Sequence, residues 1–124
     1  MNSDLNNYIN EYIILCSQLC KHAGDYTKEN VARHNNAMKK LCTLKEQLYV
    51  DPQLTESVYS ALLKSEDTHV QQSAATDCLS LNILINDSVK ILRKISRCGN
   101  KMSAMTAKRA LLIHEGKLSP NDPF

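Results

Sequence analysis

A chain of 124 residues that is 43% apolar, with only three Gly and three Pro, fits one helix-rich domain and argues against wholesale disorder and many-turned sheets. With one Phe and no Trp, the core must come from Leu, Ile, Val, Met, Ala, Cys and some of the five Tyr. The net charge of +2 hides an uneven spread: residues 1–50 carry +1, residues 51–89 carry −5, and residues 90–124 carry +6. Such asymmetry can steer a partner, and it can equally do no more than solvate outward helix faces.

The first helix is expected from about Asp4 to Ala23. Leu5, Tyr8, Ile9, Tyr12, Ile13, Cys16, Leu19, Cys20 and Ala23 form one stripe of 3.6-residue period, and Gly24 is the expected stop. Ile13-Ile14-Leu15-Cys16 lies in a stretch broken by Asp4, Glu11 and several Asn. It lacks a basic start and a small-residue cleavage site, so no signal peptide is expected. No run approaches the length of a membrane span. The second helix is expected from Lys28 to Tyr49, with Val31, Met38, Leu41, Leu44 and Leu48 inward and His34 a candidate core histidine. A short link makes these two long helices an antiparallel hairpin.

Asp51-Pro52 starts a third helix, because Asp caps free N–H groups and Pro is tolerated at the first position. Leu54, Val58, Ala61 and Leu62 face inward, and the helix reaches to about Ser65. Asp67 caps a fourth helix running to Leu81. There Val70, Ala74, Ala75, Cys78 and Leu79 recur at three- and four-residue spacing, and their small size lets another helix approach closely. Asn86 or Asp87 is expected to cap a fifth helix with Val89, Leu92 and Ile95 inward, closed by Cys98-Gly99. The sixth spans about Met102 to His114 and stops at Gly116.

The expected architecture is therefore all-α: a HEAT-like stack of three antiparallel helical hairpins, about six helices in one domain over 1–118. The tail, 119–124, is expected to be extended and poorly ordered. Ala75-Thr76-Asp77-Cys78-Leu79 and Ala107-Lys108-Arg109-Ala110-Leu111 share a pattern 32 positions apart, and three hairpins meet the minimum a solenoid needs.

Catalytic patterns are few. Cys16 and Cys20 are one turn apart, but no second ligand pair follows, and Cys packs well among Tyr12, Ile13 and Leu19. Of Cys42, Cys78 and Cys98, only Cys98, beside Arg97 and Lys101, has the electropositive setting of a reactive thiol. Glu66-Asp67 diverge on a turn. The four His, at 22, 34, 69 and 114, form no cluster. No phosphate loop, H-E-x-x-H or G-x-S-x-G occurs. No enzymatic activity, metal or other cofactor is expected. Five Cys is an odd number with no C-x-x-C pair, which favours a reducing cytoplasm over a secreted disulfide framework.

Two binding surfaces suggest themselves. The acidic stretch with Asp51, Glu56, Glu66, Asp67 and Asp77 could meet a basic protein partner. Lys90, Arg93, Lys94, Arg97 and Lys101 recur at three and four residues, so they are expected to share one face of the fifth helix and could contact phosphates, with Lys108 and Arg109 adding charge on the sixth. No aromatic residue interleaves that row, and the pI of about 8.3 falls below that of dedicated nucleic-acid binders. Protein binding is the leading class, with nucleic-acid binding or a generic adaptor role as alternatives.

Glu66-Asp67-x-x-Val70 with Ala74-Ala75 resembles the inner part of a HEAT-like repeat. His34-Asn35-Asn36-Ala37-Met38-Lys39-Lys40-Leu41, Ala74-Ala75 with Leu79-Ser80-Leu81-Asn82, Ile91-Leu92-Arg93-Lys94-Ile95, and Ser103-Ala104 through Leu111 with Gly116-Lys117-Leu118 widen the likeness. Together, over residues 34–118, they are similar to a family of short bacterial HEAT-like helical proteins and to immunity partners of toxins in contact-dependent inhibition systems. The resemblance implies an immunity protein that occludes one cognate toxin domain, a nuclease by first expectation. Gln71 stands where HEAT-like repeats carry Arg or Lys, and the overall charge is more basic than is usual for nuclease immunity proteins.

Overall fold

The computed structural model describes residues 2–21, 27–99 and 101–119. It is all-helical: α1 (Asn2–Lys21), α2 (Lys28–Tyr49), α3 (Pro52–Leu62), α4 (Thr68–Leu81), α5 (Ile85–Cys98) and α6 (Lys101–His114). No described helix is long and apolar enough to cross a membrane. The helices gather in threes. Residues Met1–Leu62 form one compact unit and Leu63–Phe124 another. The expected stop at Ala23-Gly24 and the tail from Pro120 onward lie outside the described residues.

In the first unit, α1 packs on α2 and α3, and α2 on α3. Asp4 sits in the first turn of α1, where a carboxylate complements the helix dipole. Thr27 caps α2, its hydroxyl accepting the Asn30 N–H at 3.4 Å. The buried face of α1 is Tyr12, Leu15 and Cys16, and that of α2 is Ala37, Leu41, Leu44 and Leu48. Val31 and Met38, expected inward, are 39% and 42% exposed. They lie about 100° around the helix from Ala37, so the smaller neighbour takes the core position and lets α1 come close. Ile9, Ile13 and Leu19 are half-buried, while Leu15 is buried beside a solvent-facing Ile14.

The join between α2 and α3 is tightly specified. Asp51 accepts the Leu54 N–H at 3.2 Å. The Thr55 hydroxyl lies between the Leu48 carbonyl at 2.7 Å and the Asp51 carbonyl at 2.8 Å, pinning the end of α2 to the first turn of α3. Tyr59 is fully buried and its hydroxyl shares a hydrogen bond of 2.8 Å with that of Tyr49. The Tyr12 ring meets Tyr59 edge-on at 5.8 Å, an arrangement that aligns a ring's positive edge with the other's negative face. Lys45 Nζ stands 6.0 Å above the Tyr12 ring.

The second unit is built from smaller side chains, with α4, α5 and α6 each packed against the other two. Val70, Ala74, Ala75 and Cys78 of α4, Leu92 of α5 and Ala107 of α6 are completely buried. Small residues on facing helices let the axes approach, so dispersion between backbones replaces contacts between bulky side chains. Asp67 caps α4 as expected, accepting from the N–H groups of His69 at 2.9 Å and Val70 at 3.4 Å. Gln71 donates from its side chain to the Leu63 carbonyl at 2.9 Å, so the residue that departs from the HEAT-like pattern anchors the preceding turn.

The link from α4 to α5 differs from expectation. Neither Asn86 nor Asp87 caps α5: the helix begins at Ile85, preceded by Leu84 with no capping side chain. Asn82 ends α4 in the left-handed conformation, φ 57°. Its neighbour Ile83 donates back to the Cys78 carbonyl at 3.0 Å and Asn82 to that of Leu79 at 3.3 Å, a Schellman pairing with Asn in glycine's usual place. Leu84 is also left-handed, φ 46°, a strained setting for a γ-branched residue. Two reversals in three residues turn the chain in so short a link that no room is left for a side-chain cap. Gly99 closes α5, with its N–H on the Ile95 carbonyl at 2.8 Å; a Cβ there would stand 2.6 Å from that same oxygen. Gly116, φ +76°, ends α6 with a second Schellman pairing, Lys117 N–H to the Leu112 carbonyl at 2.9 Å and Gly116 N–H to that of Ile113 at 3.1 Å.

Candidate interaction surfaces

The five acidic candidates are divided between the two units. Asp51 and Glu56 belong to the first, Glu66, Asp67 and Asp77 to the second. Asp51 and Asp67 are exposed, yet each carboxylate already accepts from a helix N-terminus. Asp77 is half-buried on α4. Glu56 and Glu66 are exposed, and these two are the carboxylates of the set best placed to meet a partner.

The basic candidates are more uniform. Lys90, Arg93, Lys94 and Arg97 are all exposed on α5, and Lys101 is exposed at the start of α6. The expectation that all five share one helix is corrected here, since α5 ends at Cys98 and Gly99 breaks the chain before Lys101. At about 100° per residue, the four α5 cations fall on the arc opposite Ser88, Leu92 and Ile95, the buried face. The reason is local: α5 alternates apolar and cationic residues at helical spacing, so burying one face must project the other outward. No ion pair with another described residue holds any of the five. Lys108 is exposed on α6 and Arg109 half-buried.

The thiols divide by burial. Cys16 and Cys78 are buried, Cys42 and Cys98 exposed; the Cys20 side chain lies outside the described residues. Burial pushes the Cys78 thiol up to about 11, with the nearby Asp77 carboxylate adding to the rise. The neighbouring Ser88 hydroxyl pulls the other way, though it stops short of hydrogen-bond geometry and is itself buried with no hydrogen-bond partner among the described residues. A thiol held protonated in this way is a poor nucleophile at neutral pH. Its residue type and position mark it as packing between α4 and α5. Cys98 is exposed at the end of α5, in the setting read for it from Arg97 and Lys101.

Among the described residues no group of three His, Cys, Asp or Glu could hold a metal ion. His34 is half-buried; His69 and His114 are exposed. Two surface clefts were not foreseen. One, of about 230 Å³, lies between α1 and α2 beside Gln18, Arg33, Asn36 and Lys40. The other, of about 360 Å³, lies between α4 and α6 beside Thr76, Leu79, Asn82, Ile113 and His114. Both are walled by residues far apart in the chain. Sequence periodicity reports which face of a helix is apolar, not how far two helices splay at their ends, so neither cleft carried a sequence signal.

Comparison with known protein families, curated proteins and solved structures finds no match to this chain.

Proposed function

We propose that this protein is a non-enzymatic cytoplasmic immunity protein that binds a cognate toxin domain and neutralises it by occlusion. The observation that carries a binding role is the exposed row of cations on α5, held by no ion pair among the described residues and displayed on a helix whose other face is locked into a packed core. Charge carried on a rigid helix requires no backbone ordering on contact and steers encounter with an oppositely charged surface. The sequence resemblance over residues 34–118 supports immunity as the specific form of that role. A nuclease is the first expectation for the toxin.

The test is genetic and biochemical together. The reading frame adjacent to this gene should arrest growth when expressed alone, and co-expression of this protein should restore growth and yield a stable one-to-one complex. A neighbouring product that is harmless, or one that stays toxic while this protein is abundant, sinks the proposal. A nucleic-acid-binding reading rests on the same cations. It requires affinity for duplex DNA or tRNA that falls steeply with salt.

A further inference from the structure

We infer that the outward face of α5, Lys90, Arg93, Lys94 and Arg97, is the contact surface for a carboxylate-rich face of a partner protein. This rests on the reading of the chain as a protein-binding module and replaces the divided acidic set as its contact. Four cations on one α5 face are exposed and have no ion pair among the described residues. They place like charges three and four residues apart, Lys90 with Arg93 and Lys94, Arg97 with Arg93 and Lys94. Such pairs work against the helix that carries them. Only Arg97, in the last turn, is offset by the dipole. A solvated surface helix gains more from mixed signs, and α5 has one acid, Asp87, in its first turn.

The chemistry favours carboxylates over phosphates. The row is short: from Lys90 to Arg97 it rises about 10 Å along the axis, whereas duplex binders commonly meet six or more phosphates. No aromatic side chain lies on the face to stack a base. By sequence, α5 alone carries +3 and the unit from Leu63 to Phe124 also +3, so the other charges of that unit cancel, with Glu66, Asp67 and Asp77 among them. Two of the four are Arg, whose planar fork suits carboxylates and phosphates alike but which is enriched in protein interfaces, where Lys is depleted.

The full chain is tested by fluorescence anisotropy at about 0.15 M salt. The probe is a labelled helical peptide of about twenty residues with Glu at i, i+3, i+4 and i+7 and Ala elsewhere. Its controls are a scrambled peptide of equal charge and a duplex DNA of similar length. The patterned peptide should bind more tightly than both controls. Arg93→Glu with Arg97→Glu should weaken it at least about tenfold. Arg93→Ala with Arg97→Ala should weaken it by less, with helix content unchanged by circular dichroism. Reversing Glu56 and Glu66 to Lys should leave it unchanged. Tighter DNA binding, equal binding of the scrambled peptide, no binding of any probe, or a self-association abolished by the Arg reversals would each overturn the assignment. The same Arg variants in the growth-rescue assay keep the two proposals apart. Rescue by wild type and variants alike removes the α5 face but leaves the immunity reading. Failure of wild-type rescue with patterned-peptide binding intact does the reverse.

Discussion

The two three-helix units solve one packing problem in different ways. All five Tyr lie in the first unit by sequence, and its centre is an edge-on ring pair joined to a hydroxyl pair, Tyr12, Tyr59 and Tyr49. The second unit buries no aromatic residue among those described. It relies on Ala74, Ala75, Cys78 and Ala107, all completely buried. Their surfaces diverge as well: by sequence the first unit carries −1 and the second +3. An aromatic core tolerates wider helix spacing but depends on a few large side chains and their hydroxyl partners. A small-residue core depends on close backbone approach, so it is sensitive to added volume rather than lost volume.

Truncating the first unit's centre should have the largest effect. Tyr59→Ala removes a fully buried ring and should lower stability by about 3–5 kcal/mol. Tyr59→Phe, which keeps the ring and deletes the 2.8 Å hydroxyl contact, should cost about 1 kcal/mol. Urea unfolding measures both, and hydrogen exchange should place the lost protection in α1, α2 and α3. Equal loss of protection in α4 to α6 would break the contrast between the units.

The complementary change belongs to the second unit. Ala75→Leu adds volume where none is free and should destabilise by about 1–3 kcal/mol. Ala37→Leu, at a buried Ala beside larger neighbours in the first unit, sharpens the comparison by the same measurement. If both cost the same, small-residue packing is not particular to α4.

Alkaline pH probes the second unit through Cys78. Its thiol is raised in the folded state, so the native protein holds the proton more tightly than the unfolded chain. The sign follows from linkage: this contribution is fully present below about pH 9, and it is lost as pH rises toward about 11. Cys78→Ala should flatten the fall of the urea midpoint over that window. At neutral pH a thiol reagent should label Cys42 and Cys98 quickly and Cys78 only on unfolding, read peptide by peptide by mass spectrometry.

The smallest expected effect compares the two aspartate caps. Asp67→Ala frees two N–H groups and should cost about 1 kcal/mol; Asp51→Ala frees one and should cost less. A larger loss at Asp51 would mean that the Thr55 bridge to the Leu48 carbonyl fails with its cap.

The legible features were those set by residues within about one turn of each other. The six helices, the Asp51 and Asp67 caps, the Gly99 and Gly116 stops, the small stripe of α4 and the cationic arc of α5 all depend on side chains adjacent along a single helix. Periodicity alone left a helix rotation open by about one residue, which is why Ala37 and Leu15 are buried while Met38 and Val31 are exposed. Tertiary packing also decided that Gln71 holds the Leu63 carbonyl and that Tyr49 and Tyr59 share a hydrogen bond. It likewise decided that the helices gather in threes. Each of these outcomes compares contacts between segments separated along the chain. Local chemistry determines which face of a helix seeks burial, and only the assembled unit determines which neighbour supplies it.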